Sequence, residues 1–269
     1  MKILLKIGFI VFFAGLLQAQ PNCNVYLWEG DTAKYQACKL LTENQHKYYQ
    51  FSKEFHDLVD CAITLCPQFA YAYREKAAPY VKSGNFIEWK KYIDLAVKYD
   101  SLGYLSVRAS LRYKFFADYS GAIHDIELLE NISKSDIGYT SNGTYHLMIV
   151  KALCYKQLGK IKEGINTIEA LLNKEGYSVG TYDYLHLGVM YYQTGNFRQG
   201  INVLNKQRIQ YDCAEVFYYL ALCYKEMGNT EEYIQAKQSC QNLFRENRKM
   251  FDQYHFMIDQ IFQQDFNNL

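Results

Sequence analysis

The side chains able to do chemistry are dispersed along the chain. The six histidines are His46, His56, His124, His146, His186 and His255. None has a second histidine or a cysteine at the two-residue or four-residue spacing with which a turn or one helix face grips a metal ion. Surface or packing roles are expected for all six. Cys61 and Cys66 are separated by four residues, not the two that build a tuned redox dithiol. Glu231 and Glu232 fall at an expected helix start, where carboxylates complement the positive end of the helix dipole. The sequence contains no phosphate loop, dinucleotide glycine pattern, nucleophile elbow or zinc-protease helix. Neither catalysis nor a cofactor or metal is expected.

What the chain has in excess is tyrosine, 26 residues, against only 3 prolines. That balance favours long helices with aromatic packing. The 29 basic and 28 acidic side chains leave a formal charge of +1, so no long-range field draws in a polyanion and nucleic acid is not an expected partner. Lys2 and Lys6, the apolar run Ile7 to Leu17 and the small residue Ala19 follow signal-peptide grammar. Residues 1–19 are therefore read as an export signal cleaved after Ala19. The apolar run is shorter than a spanning helix, and the mature chain is expected to be periplasmic or secreted with no membrane span. Cys23 follows Gln20-Pro21-Asn22, without the small residue that precedes a lipidated cysteine.

The helices needed to position any binding surface are marked by a recurring turn. Ser83-Gly84-Asn85-Phe86, Leu158-Gly159-Lys160-Ile161, Thr194-Gly195-Asn196-Phe197 and Met227-Gly228-Asn229-Thr230 each follow an apolar run that carries tyrosine. A glycine there lets one helix leave in a left-handed turn and another begin. Ala117-Asp118-Tyr119 is a version without glycine. Intervals from Gly84 through Ala117, Gly159 and Gly195 to Gly228 are 33, 42, 36 and 33 residues, the period of a helix-pair repeat.

Windows starting at Ala70, Gly103, Tyr145, Thr181 and Ala214 align these turns. Their eighth position is small in every case (Ala77, Ser110, Ala152, Gly188, Ala221). Their eleventh is always tyrosine (Tyr80, Tyr113, Tyr155, Tyr191, Tyr224). On these columns the chain resembles the tetratricopeptide repeat family. Trp89 and Tyr233 depart from the family pattern at a position usually small, and Lys237 replaces an aliphatic residue in the last window. Trp28-Glu29-Gly30-Asp31, Tyr48 to Glu54 and Phe69 to Tyr73 also resemble small exported tetratricopeptide proteins of Bacteroidetes-type bacteria, a group with no assigned activity.

The resemblance implies an all-α fold, a right-handed α-solenoid of antiparallel helix pairs closed by a C-terminal capping helix. Residues 20–35 form an extended N-terminal segment in this reading. Repeats occupy 36–240, at about 36–67, 70–101, 103–134, 145–178, 181–212 and 214–240, and 241–269 is a helical capping tail that covers the open apolar end. In the first window Cys38 lies near the start of one helix and Cys66 near the end of the next. Antiparallel packing brings those ends together and makes Cys38 and Cys66 the candidate disulfide, with Cys61 a competitor. Cys154 and Cys223 read as small buried hydrophobes. Pro79 is expected to kink its helix, and the polar stretch Ser133 to Thr144 reads as an inserted loop.

In that family the first helices line a concave groove. The columns that would face it hold Tyr71, Arg74, Tyr104, Lys114, His146, Lys156, Tyr182, Tyr192, Tyr218 and Lys225. Tyrosine offers contact area at small entropic cost while lysine and arginine attract carboxylates, a mixture suited to an extended peptide or protein partner. Carbohydrate or another small ligand of the cell envelope is the alternative. The arrangement with which some family members clamp heat-shock protein tails is absent, because Arg74 and Ala78 hold the first clamp positions.

Overall fold

A computed structural model describes residues 20–269, and the expected signal at 1–19 lies outside the described residues. Among the described residues are thirteen α-helices, two 3-10 helices and a single isolated β-bridge. The chain divides into two compact units after Pro79.

The first unit holds α1 (Asn24–Trp28), α2 (Thr32–Asn44), α3 (Lys53–Leu65) and the start of α4 (Ala70–Lys82). Asp31 caps α2 by accepting from the Lys34 amide, and Ser52 caps α3 by accepting from the Phe55 amide, each satisfying a donor that the first turn leaves open. Ala37, Leu41, Phe55, Val59, Ala62 and Phe69 form the buried seam. Residues 20–35 are not extended: α1 lies within them and α2 begins at Thr32. This earlier start corrects the expected disulfide. Cys38 falls in the second turn of α2, where it meets Cys23 at the head of α1 with Cα atoms 5.6 Å apart, and the two are bonded. Cys66 is a buried free thiol and Cys61 an exposed one.

The second unit continues with α5 (Phe86–Tyr99), α6 (Ser101–Phe115), α7 (Tyr119–Ile132), α8 (Leu147–Gln157), α9 (Ile161–Leu172), α10 (Asp183–Gln193), α11 (Phe197–Gln210), α12 (Ala214–Glu226) and α13 (Thr230–Arg245). Pairs α6–α7, α8–α9, α10–α11 and α12–α13 pack as hairpins, and the first helices α6, α8, α10 and α12 touch in succession. This is the helix-pair solenoid the repeat implies.

The recurring turns work as expected. Gly84, Gly159, Gly195 and Gly228 have φ between 72° and 76°, and the amide after each donates to the carbonyl of the column tyrosine: Asn85 to Tyr80, Lys160 to Tyr155, Asn196 to Tyr191 and Asn229 to Tyr224. These bonds satisfy carbonyls that the helix end would otherwise leave open. Ala117 takes the same left-handed conformation at φ 49° without glycine's freedom. The small columns are close approaches. A Cβ on Gly188 would stand 2.6 Å from Leu204 Cγ, and one on Gly164 would stand 2.9 Å from the Ala152 carbonyl oxygen.

Three irregular features lie within or beyond the repeats. The α4 helix runs on through Pro79 to Lys82. The insertion folds back on itself, with Thr140 N–H donating to the Tyr145 carbonyl at 2.8 Å and Leu147 N–H to that of Gly138 at 2.9 Å. It thereby seats His146 at the head of α8, where Nδ1 accepts from the Met148 amide at 3.1 Å. The tail differs most from expectation, for it is not a capping helix. α13 ends at Arg245, Asn247 turns left-handed at φ 59°, and the chain is irregular until a 3-10 turn at Gln263–Asn268. Its apolar residues Met250, Met257, Ile261 and Leu269 are buried. They belong to the same buried core as the apolar residues of the helix pairs.

Candidate functional site

The tail of the second unit lies along the face formed by α6, α8, α10 and α12. Arg248 begins it, accepting from the Ala214 amide at 2.9 Å. Glu215, in the first turn of α12, then gathers two distant points of the tail, accepting from Met250 N–H at 3.0 Å and Ile261 N–H at 3.4 Å. Burial pushes its carboxyl above the ordinary range while those amides oppose the rise. Gln260 reinforces the closure, donating from Nε2 to the Met250 carbonyl at 3.2 Å and accepting from Met257 N–H at 3.0 Å. Residues 250–261 thus form a compact loop with its ends held together.

Two carboxylates fix that loop to the helices. Asp252 takes Lys114 Nζ at 2.7 Å and Asn142 Nδ2 at 3.3 Å. Burial acts to raise its pKa, but Lys114 and the Tyr254 amide win and hold it down at about 2. Asp259 binds Lys156 with one oxygen and His186 Nδ1, at 2.7 Å, with the other. Burial again opposes ionisation, and Lys156 and His186 outweigh it, so Asp259 is held below the usual carboxylate range. The remaining nitrogen of His186 lies 3.0 Å from the Tyr145 hydroxyl. Asp259 adopts φ 70°, a conformation that aspartate tolerates better than most residues and that marks local strain.

Beyond the loop, Asp265 accepts from the Phe262 amide at 2.6 Å. Tyr218 and Lys225 reach the carbonyls of Asp265 and Asn268 at 3.4 and 2.8 Å, and Tyr233 and Lys237 reach the main-chain oxygen of Leu269. Phe266 packs edge-on against Phe244 with centroids 5.0 Å apart. The ring nitrogens of His255 are buried, and the ring lies beside Tyr113 and Phe115. Its Nδ1 lies 3.1 Å from Asp252 but out of line for a hydrogen bond, and both ring nitrogens lack a partner. Burial therefore keeps its pKa below the ordinary histidine value.

Of the ten residues expected to line a groove, the structure puts Lys114, Lys156, Tyr218 and Lys225 against the tail. The others have local roles. In the first unit, the buried Tyr71 hydroxyl accepts from Gln45 at 3.0 Å, its pKa pushed up to about 12 by burial, and Arg74 pairs with Glu75. His146 is a helix cap whose Nε2 is 2.9 Å from Asp136. Tyr182 is buried edge-on to Tyr211, Tyr192 packs on Phe197 and Tyr219, and Tyr104 packs on the core.

The tyrosine column is likewise structural. Tyr155 donates to Glu127 at 3.1 Å and Tyr191 to Glu169, each a residue of the preceding second helix. Free thiols at Cys154 and Cys223 are fully buried, burial pushing Cys223 to about 12.

Sequence reasoning passed over Glu215, His186 and Asp259. Glu215 stands at the second position of its window, a groove-facing column, and that signal was available. Asp259 gave none, because its role depends on the path of an irregular segment. Lys156, Asp259, His186 and Tyr145 do form a compact ionisable cluster, but its side chains are closed to solvent and satisfy one another. Two surface cavities, of about 380 and 350 Å³, lie elsewhere: one beside Tyr139, Gly180 and Gln210, the other beside Asp136, His146 and Lys174. Among the described residues no group of three or more His, Cys, Asp or Glu side chains is placed to hold a metal ion. No described helix is long and apolar enough to cross a membrane.

Comparison with known proteins places this arrangement. Residues 215–246, which span α12 and α13, match the family model described as "Tetratricopeptide repeat". No curated protein matches the chain significantly in sequence. Among solved structures, the type IV pilus biogenesis factor PilW is similar over 83% of this chain and 90% of its own, with TM-score 0.55 and 10% identity. Pseudomonas aeruginosa PilF is similar over 80% and 91%, with TM-score 0.53 and 12% identity. A chain of the Naa15/Naa10 complex bound to HypK-THB is similar over 84% of this chain, which spans 33% of that one, with TM-score 0.50 and 13% identity. At such identities the likeness concerns the fold alone. Residues 215–246 are a tetratricopeptide repeat, and the chain built around them has the fold of the tetratricopeptide repeat proteins.

Proposed function

We propose that this chain is an exported tetratricopeptide scaffold that binds a protein or peptide partner through its first-helix face and performs no catalysis. One observation carries the reading: Lys114, Lys156, Tyr218 and Lys225 take the carboxylates and carbonyls of an irregular peptide segment. A face that fits main-chain oxygens and aspartates of an open chain has the chemistry of peptide recognition, and the stacked helix pairs supply a long, continuous surface for it. The Cys23–Cys38 bond supports export, since such bonds persist in oxidising compartments. The fold itself hosts many roles, so the partner has to be found by experiment. The full mature chain, immobilised and exposed to the envelope fraction of its own cells, should retain a small set of proteins that excess soluble chain displaces. Recovery of nothing beyond what an unrelated helical-repeat protein retains would overturn the reading.

A further inference from the structure

We infer that residues 249–269 are a built-in ligand of the first-helix face, and that the partner for this face is an extended peptide carrying carboxylates, which must compete with the tail. The inference rests on the scaffold reading and names its ligand class and its regulation.

Several observations separate the tail from the body it covers. The helix pairs from α6 to α13 already pack on one another in sequence, whereas the tail adds no helix to the stack before its last short turn. Its attachment is chemical complementarity of the kind seen between partners. Asp252 and Asp259 meet Lys114 and Lys156, Glu215 receives two tail amides, and lysines and tyrosines cap tail carbonyls. Oppositely charged groups placed in this way set the register of a bound chain and disfavour the wrong occupant.

The left-handed Asn247, two residues past the end of α13, gives the segment a turn at which to enter or leave. Around the first aspartate, Phe251, Tyr254 and Phe256 point outward, with 72%, 65% and 79% of their surface exposed. Tyr254 meets the body through the Lys114 ammonium 5.7 Å from its ring, whereas Phe256 packs on Phe262 of the tail itself. The three rings make 251–256 the most solvent-exposed stretch of the tail, held to the helices mainly through Asp252, so a competitor reaches the Lys114 site before the buried Lys156 and His186. The competitor's chemistry follows from what it replaces: two carboxylates about seven residues apart, on a chain open enough for its main-chain oxygens to accept bonds, with apolar side chains where Met257 and Ile261 sit.

A nicked full-length protein tests this. A protease site is inserted between Glu246 and Asn247 and cut, so that every residue remains present but the tail is held only by its own contacts. A fluorescent peptide of residues 248–269 should then exchange into the nicked protein saturably and bind the uncut chain roughly tenfold or more weakly, because a tethered competitor acts at about millimolar effective concentration. An unlabelled peptide with both Asp252→Asn and Asp259→Asn should fail to displace the probe. An unrelated peptide that keeps only the two carboxylates, their spacing and the two apolar anchors should displace it. Equal binding to cut and uncut protein, absence of exchange, or loss of helical circular dichroism on cutting would each overturn the inference. If the probe fails while envelope proteins are still retained by the uncut chain, the scaffold reading survives and this one falls.

Discussion

The two segments that flank the helix pairs are fastened by different physics. Residues 20–31 are tied to α2 by the covalent Cys23–Cys38 bond, closed over a sequence separation of 15. Residues 246–269 are tied to α6, α8, α10 and α12 by buried ion pairs, hydrogen bonds and four apolar anchors. A disulfide holds its partners at any pH and against any competing peptide, and yields only to reduction. Ion pairs and amide contacts yield to protons and to a ligand of the same chemistry. One end is built to stay in place, while the other is built so that it can be exchanged.

The sharpest way to break the second fastening is Asp259→Ala. It strands Lys156 and His186 in a buried site, and the loss of one partner from such a pair costs about 3–5 kcal/mol; urea denaturation should show it as a lowered midpoint. Next comes the covalent end. Cys23→Ser with Cys38→Ser removes a short loop closure and should cost about 3 kcal/mol, read as faster hydrogen exchange of the α1 and α2 amides.

Acid separates the two ends without mutation. Asp252 is held at about 2 from an ordinary 3.8, so its contribution, about 2 kcal/mol, is complete above roughly pH 5 and is lost as pH falls towards 2. His255 acts in the same sense. Its pKa is depressed by burial, so it docks neutral and opposes docking once protonated as pH falls below about 6.5. Lys114 and Asp252 are the charges facing it, with the Tyr113 and Phe115 rings alongside. Amides 250–261 should lose protection in acid before those of α1 and α2; equal loss at both ends would erase the contrast. The smallest effect lies away from both ends and has the opposite sign. Ala117→Gly relieves a left-handed alanine and should raise the thermal midpoint by a degree or more, a gain of under about 1 kcal/mol.

Much of the fold was legible because it is repetitive and local. The turn glycines, the small eighth position and the tyrosine column each follow from helix geometry over a few residues, and the helices stand where those columns put them. Ala117 was readable as a turn even without its glycine. The disulfide was misread because it depends on where α2 begins, and Asp31 caps that helix earlier than the repeat columns suggested. The tail was misread for a deeper reason. Its apolar spacing resembles a helix, yet its conformation is decided by Glu215, Lys114 and Lys156, residues far away in sequence. Four of the ten expected groove residues do meet a peptide segment, but it belongs to the same chain. The rest serve a helix cap, packing and local polar contacts such as Arg74 with Glu75, because a column marks which way a side chain points and not what waits there.

The Lys114–Asp252 contact spans 138 residues and the Lys156–Asp259 contact 103, whereas each helix hairpin closes within a few tens of residues. Closing so long a loop carries the larger entropic cost, and contacts of that span form after local ones. On folding, the first-helix face is therefore assembled before its own strap docks. Each folding molecule passes through an interval in which the face is open to whatever lies nearby. A partner that meets the chain while it is folding has no competitor to displace, and the order of assembly alone favours it over one that arrives later.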